Sequence, residues 1–113
     1  MFEYIKSWFV SPPVSPVIKA EVQNLIDSNK ILIFLKSYCP YCDSTKDLIK
    51  SITSDFKVVE LNTSANGRTI QDALREMTGQ NTVPNIFINR KHIGGNSDLQ
   101  ALQGAGKLKS LVN

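Results

Sequence analysis

The chain has little cysteine, with two in 113 residues. It has one histidine and one tryptophan, and no apolar run approaching the roughly 20 residues that a membrane-spanning helix requires. Each shortage excludes something. Two cysteines are too few for a disulfide-dense secreted scaffold. Cys39 and Cys42 also lie so close that a bridge between them would close a very small loop and remove little unfolded-state entropy. A structural zinc site needs four ligands, and Cys39, Cys42 and His92 are the only strong donors in view, so no metal is expected. At 42% hydrophobic and 20% charged residues, a chain of this length can bury one core unaided, and one domain is expected.

Excess charge is also scarce. The net charge is +3, and the 13 basic residues are scattered rather than massed in one run. A nucleic-acid partner is therefore not expected, whereas a small anionic ligand fits. The opening "MFEYIKSWFVSPPVSPVIKAEV" lacks a basic region followed by a long apolar core, and it contains no arginine. Neither a secretory signal nor a typical mitochondrial presequence is indicated. A cytoplasmic monomer without stable membrane association is the expectation, with a mitochondrial location as the alternative. Pro12, Pro13 and Pro16 interrupt any helix here. Residues 1–15 are expected to form an N-terminal extension, with a short amphipathic piece around Ile5, Trp8 and Phe9, and residues 16–113 the folded domain.

What is present is well punctuated. "SPVIKAEVQNLIDSNK" offers a capping serine, a proline at the first helical position and Val17, Val22, Leu25 and Ile26 near helical spacing. "KILIFLKS" is a short continuous apolar run, the pattern of a strand covered on both faces. A second helix is predicted from Pro40 to about Ile52, with both thiols at its first turn, and "FKVVELN" is a second strand. "NGRTIQDALREMTGQ" places Ile70, Leu74 and Met77 on one face before Gly79 ends the helix. "NIFINRKHI" predicts two strands joined at Asn89-Arg90, and the tail supplies one helix and a shorter piece after Gly104 and Gly106. This order predicts an α/β domain around a small mixed sheet, with "CPYC" beyond the carboxyl end of a strand, where ligands gather in such sheets.

Position then bears on chemistry. The thiolate is the nucleophile in disulfide exchange. Cys39 is expected at a helix N-terminus, where free backbone N–H groups and the helix dipole favour an anion, with Lys36 adding positive charge nearby. Cys42, one turn in, loses most of that benefit. Cys39 is expected to attack and Cys42 to resolve.

"SYCPYC", "TVPNIFIN" and "KHIGGNSDL", in this order and at these separations, resemble a dithiol glutaredoxin of the thioredoxin fold. The resemblance covers nearly everything after residue 15. It implies a four-stranded mixed sheet flanked by helices, and an enzyme that uses glutathione as co-substrate to reduce protein–glutathione mixed disulfides and protein disulfides. It also implies a pocket. Lys36 and Gln71 would meet the glycyl carboxylate of glutathione, with Arg68 as an electrostatic helper. Thr82, Val83 and a cis Pro84 would pair with its cysteinyl backbone. Gly95, Asn96 and Ser97 would present helix N–H groups to the γ-glutamyl carboxylate, Asp98 would hold the amine, and Tyr41 would flank the sulfur. Tyr38 is expected to be a packing residue, and His92 a packed or half-exposed strand residue rather than a general base. Some relatives instead carry an iron–sulfur cluster between two subunits, and this is the alternative function. They typically have Cys-Gly-Phe-Ser, or replace the proline, whereas Pro40 stands here.

Overall fold

The computed structural model describes residues 13–113. Ser15 caps the first helix, α1 (Pro16–Ser28), by accepting the Val17 N–H on its Oγ at 3.2 Å. Pro16 fills the first turn, where an absent N–H leaves no helical bond unmade. There follow β1 (Ile31–Leu35), α2 (Pro40–Ile52), β2 (Lys57–Glu60), α3 (Gly67–Thr78), β3 (Asn85–Ile88), β4 (Lys91–Gly94), α4 (Asn96–Gly104) and a short α5 (Leu108–Val112). Gly79 ends α3 at a φ of 81°, a left-handed cap that glycine adopts at little cost. Asn89 and Arg90, both at positive φ, turn β3 into β4 as a two-residue hairpin requires.

The strand order is β2-β1-β3-β4, with β2 parallel to β1 and the other pairs antiparallel. All five residues of β1 are buried, because helices cover both faces of the sheet. Side chains alternate along the strand. Leu32 and Phe34 pack with Val22 and Ile26 of α1 and Ile70 and Leu74 of α3. Ile31, Ile33 and Leu35 pack with Ile49 of α2, Leu99 of α4 and Leu108 of α5. Phe34 also meets Phe87 edge to face, with ring centroids 6.1 Å apart. This is the four-stranded mixed sheet flanked by helices that the resemblance implies.

The folded domain reaches further back than Pro16. Val14 is buried in the core it shares with α1 and α3, and its N–H donates to the Glu76 carboxylate at 2.7 Å. Glu76 also pairs with Lys19 at 2.7 Å. Lys19, and then the Val14 amide, hold its carboxyl below the usual carboxylate range. A proline-rich flank gave no sign that one valine within it would find a place in the core. The piece around Ile5, Trp8 and Phe9 lies outside the described residues. No described helix is long and apolar enough to cross a membrane.

Candidate active site

The carboxyl end of β1 runs into the turn that carries the thiols. Cys39 is the N-cap of α2 in an extended conformation, and Pro40 occupies the first helical position. The cap is a sulfur: the Cys42 N–H donates to Cys39 Sγ at 3.2 Å. Ordinarily a hydroxyl or carboxylate oxygen takes such an amide. The Cys42 N–H at the first turn of α2 thus points its partial positive charge at that sulfur. Cys39 is half-buried and Cys42 fully buried, and neither is in a disulfide.

The two thiols are unequal. Burial first, and then the hydrogen bond to Cys39, push the Cys42 thiol up to about 12, while the Lys36 backbone pulls weakly the other way. Cys42 belongs to the apolar core beneath the sheet, with Ile33, Ile49 and Ile86. A negative charge there has no water to solvate it. Of the two sulfurs, Cys39 is the more accessible.

Facing the helix tip is the Val83-Pro84 peptide, which is cis. The Val83 carbonyl lies 3.9 Å from Cys39 Sγ, and the Val83 N–H has no acceptor among the described residues. Beside it opens a cleft of about 450 Å³ lined by Tyr41, Thr82, Val83, Pro84, Gly95, Asn96 and Ser97. Seven residues expected from sequence thus come together in one cavity, of a size suited to a small-molecule ligand. Tyr41 is 69% exposed and stands at its mouth.

Three expected residues do not line the cleft. Lys36 is half-buried at the end of β1, and its ammonium forms no salt bridge among the described residues. Gln71 turns its amide to the neighbouring loop, donating to the Asn81 carbonyl at 2.9 Å. Asp98 accepts the Gly95 N–H at 3.0 Å, a bond that fixes the entry into α4. The N-cap of α4 is Gly95 itself, so Ser97 is not a capping residue. His92 is exposed as a whole, though its ring lies against Phe87 and its Nε2 is 2.9 Å from Asn85 Oδ1. Tyr38 differs from expectation: it is 71% exposed beside the thiol rather than packed.

Two supporting pairs were not expected. Buried Thr45, one turn beyond Cys42 on α2, donates to Asn96 Oδ1 at 2.9 Å, and Gln100 adds a longer bond to the same oxygen. The Asn96 oxygen is thereby occupied, and its amide N–H groups remain the part free to meet a ligand. Ser37 and Asn62 bond reciprocally, amide to Oδ1 at 3.0 Å and Nδ2 to Oγ at 2.7 Å, tying the loop before Cys39 to the end of β2. The sequence signal for Thr45 was its place on the buried α2 face between Cys42 and Ile49. Asn62 gave none.

The glutaredoxin family profile matches residues 31–93, more than half of the chain. The chain belongs to the glutaredoxin family. A tomato (Solanum lycopersicum) glutaredoxin is 47% identical over 93 residues, which cover 82% of this chain and 86% of that protein. Glutaredoxin-1 of Saccharomyces cerevisiae is 46% identical over 95 residues, 80% of this chain and 86% of its own. Among solved structures, the buckwheat glutaredoxin–glutathione complex superposes with a TM-score of 0.82 at 38% identity, covering 85% of this chain and 87% of that one. The fold is thus the thioredoxin-like glutaredoxin fold, and the enzyme is a thiol–disulfide oxidoreductase.

Proposed function

We propose that this glutaredoxin is of the dithiol type and draws its electrons from glutathione, reducing protein–glutathione mixed disulfides through Cys39 alone and protein disulfides through Cys39 and Cys42 together. One observation carries this: the capped Cys39 sulfur lies 3.9 Å from the Val83 carbonyl, and Val83 also lines the cleft that runs on to the start of α4. A tripeptide seated there could pair its cysteinyl backbone with Val83, as an added strand does, and bring its carboxylate to the N–H groups at Asn96 and Ser97. Lys36, Gln71 and Asp98 would then act from the rim. The relation to the buckwheat complex supports the same ligand.

The Cys39 thiolate attacks the glutathione sulfur of the mixed disulfide. A Cys39–glutathione disulfide forms, and the target's sulfur leaves as a thiolate that takes a proton from water. A second glutathione thiolate attacks the bound glutathione sulfur, releasing oxidised glutathione and restoring Cys39. For a protein disulfide, Cys39 attacks one target sulfur, the target S–S bond breaks, and the other target sulfur leaves as a thiolate that is protonated by water. Cys42 then gives its proton to water and attacks the Cys39 sulfur, which breaks the mixed disulfide and releases the first target sulfur as a thiolate, and two glutathiones reduce the Cys39–Cys42 disulfide and leave as oxidised glutathione. Because Cys42 is held protonated, it competes poorly with incoming glutathione, which favours the first route.

The single variants test this. Cys42→Ser should retain reduction of a glutathionylated peptide and lose most reduction of a protein disulfide, whereas Cys39→Ser should lose both. Wild-type rates in Cys39→Ser would overturn the assignment. Anaerobic reconstitution with iron and sulfide addresses the cluster-carrying alternative. A colourless monomer is expected, and a brown dimer would favour the alternative.

A further inference from the structure

Helix α3 is followed by a loop, residues 79–84, whose last three residues form one wall of the cleft. Backbone carbonyls in such a loop need partners or water. One side chain takes two of them. Gln80 Nε2 donates to the Thr82 carbonyl at 3.2 Å and to the Pro84 carbonyl at 3.0 Å, so that both hydrogens of a single amide are committed to this wall. Gln80 is itself held, its own N–H donating to Thr78 Oγ1 at 3.1 Å. The carbonyl between the two clamped ones, that of Val83, is the one beside Cys39 Sγ. The clamped Pro84 carbonyl lies beside Gly95 in the cleft lining, where a Cβ on Gly95 would stand 3.7 Å from it, in ordinary contact. Moving Pro84 would change the width of the cleft and the aim of the Val83 edge together.

We infer that Gln80 is a positioning residue for the glutathione half of the substrate, fixing the Thr82–Pro84 wall so that the Val83 edge meets the tripeptide backbone in register with Cys39. This rests on the glutathione-dependent mechanism proposed above. The Thr82–Pro84 wall then matters to some substrates and not to others. A disulfide whose attacked half has a peptide backbone needs the wall in place, whereas one without a backbone needs only the Cys39 sulfur.

The test uses the full chain in a Cys42→Ser background, where the Cys39 mixed disulfide accumulates and is counted by acid quench and mass spectrometry. Cys39 attacks the glutathione sulfur of a glutathionylated peptide, the S–S bond breaks, and the peptide thiolate leaves and is protonated by solvent. The comparison substrate is bis(2-hydroxyethyl) disulfide without glutathione, where Cys39 bonds to one hydroxyethyl sulfur and mercaptoethanol leaves. Gln80→Ala should slow the first reaction about tenfold, the scale of one lost hydrogen-bonded contact in the transition state. It should leave the second within twofold. General damage to the helix tip would slow both, and that result would overturn the positioning role.

Gln80→Glu supplies a variant of the same shape. Its carboxylate faces two carbonyl oxygens and cannot donate, but its acid form can. The rate relative to wild type with the glutathionylated peptide should therefore rise as pH falls from 8 toward 5. A flat ratio would count against the role even if Gln80→Ala were too unstable to assay. If the Cys42→Ser parent shows no preference for the glutathionylated peptide, the glutathione mechanism fails. If the parent shows that preference and the Gln80 variants keep it, only the role of Gln80 fails.

Discussion

The division of labour between the thiols can be measured directly on Cys42. In a Cys39→Ser variant, Cys42 is the remaining thiol, and the largest cause of its suppression, burial among Ile33, Ile49 and Ile86, is left intact. With Cys39 present the thiol is pushed from an ordinary 9.0 to about 12; the variant loses the part owed to Cys39 and keeps the larger part owed to burial. Alkylation by iodoacetamide proceeds through the thiolate. The folded variant should therefore react more than tenfold more slowly at pH 8 than the same variant unfolded in urea. Pulsed labelling with mass spectrometry reads both rates on one sample. The folded rate should still be climbing above pH 9, where an ordinary thiol levels off. In the Cys42→Ser variant, Cys39 should alkylate readily while the protein remains folded by circular dichroism. A folded Cys42 rate within tenfold of the unfolded one would refute the claim that burial decides which sulfur attacks first.

Other consequences follow from the walls of the cleft and from titration. Gly94 has a φ of 118°, and an added Cβ would overlap the Asp98 carboxylate, so Gly94→Ala should destabilise the fold by roughly 1–3 kcal/mol in urea titrations. Gly95→Ala has room in the fold but places a methyl group opposite the Pro84 carbonyl; unchanged stability with a raised KM for glutathionylated peptide is expected, and an unchanged KM would remove Gly95 from the ligand's path. Thr45→Val leaves the Asn96 oxygen without its shorter donor and should cost about 1 kcal/mol of stability while raising the same KM. Burial lowers the pKa of His92 in spite of the nearby Asp98 charge, so the unfolded chain binds this proton more readily than the folded one. The contribution to stability is present above the ordinary 6.5 and is lost as pH falls below it, so the slope of the urea midpoint between pH 7.5 and 5 should flatten in His92→Gln, and equal slopes would contradict this.

Much of the fold was legible because its boundaries are set locally. Ser15-Pro16, Pro40 and Gly79 each start or stop a helix through a backbone property of one residue. The five-residue apolar run of β1 could only be a strand covered on both faces. The thiol pair was legible for the same reason, since its inequality follows from which cysteine caps the helix and which lies a turn inside. Tyr41, Thr82, Val83, Pro84, Gly95, Asn96 and Ser97 could be named only through resemblance, because nothing local says that residues 41, 83 and 96 will share one cavity.

What stayed hidden has a common character. The Thr45–Asn96 bond joins residues 51 apart and Ser37–Asn62 joins residues 25 apart, and each partner alone is an unremarkable polar residue on a helix or loop. Gln71 and Gln80 show how little residue type decides. The glutamine expected to meet the ligand from α3 gives an amide N–H to the Asn81 carbonyl, while the one that passed without notice donates to two carbonyls of the cleft wall. An amide side chain has no preferred partner beyond a carbonyl within reach, and reach is a property of the folded loop. The sulfur chemistry of this enzyme is therefore written in a short local motif. On the glutathione-dependent mechanism proposed above, its choice of reductant would depend on polar contacts that exist only once the chain has closed on itself, and substitutions at Thr45 or Gln80 should alter which disulfides it attacks without altering its ability to attack one.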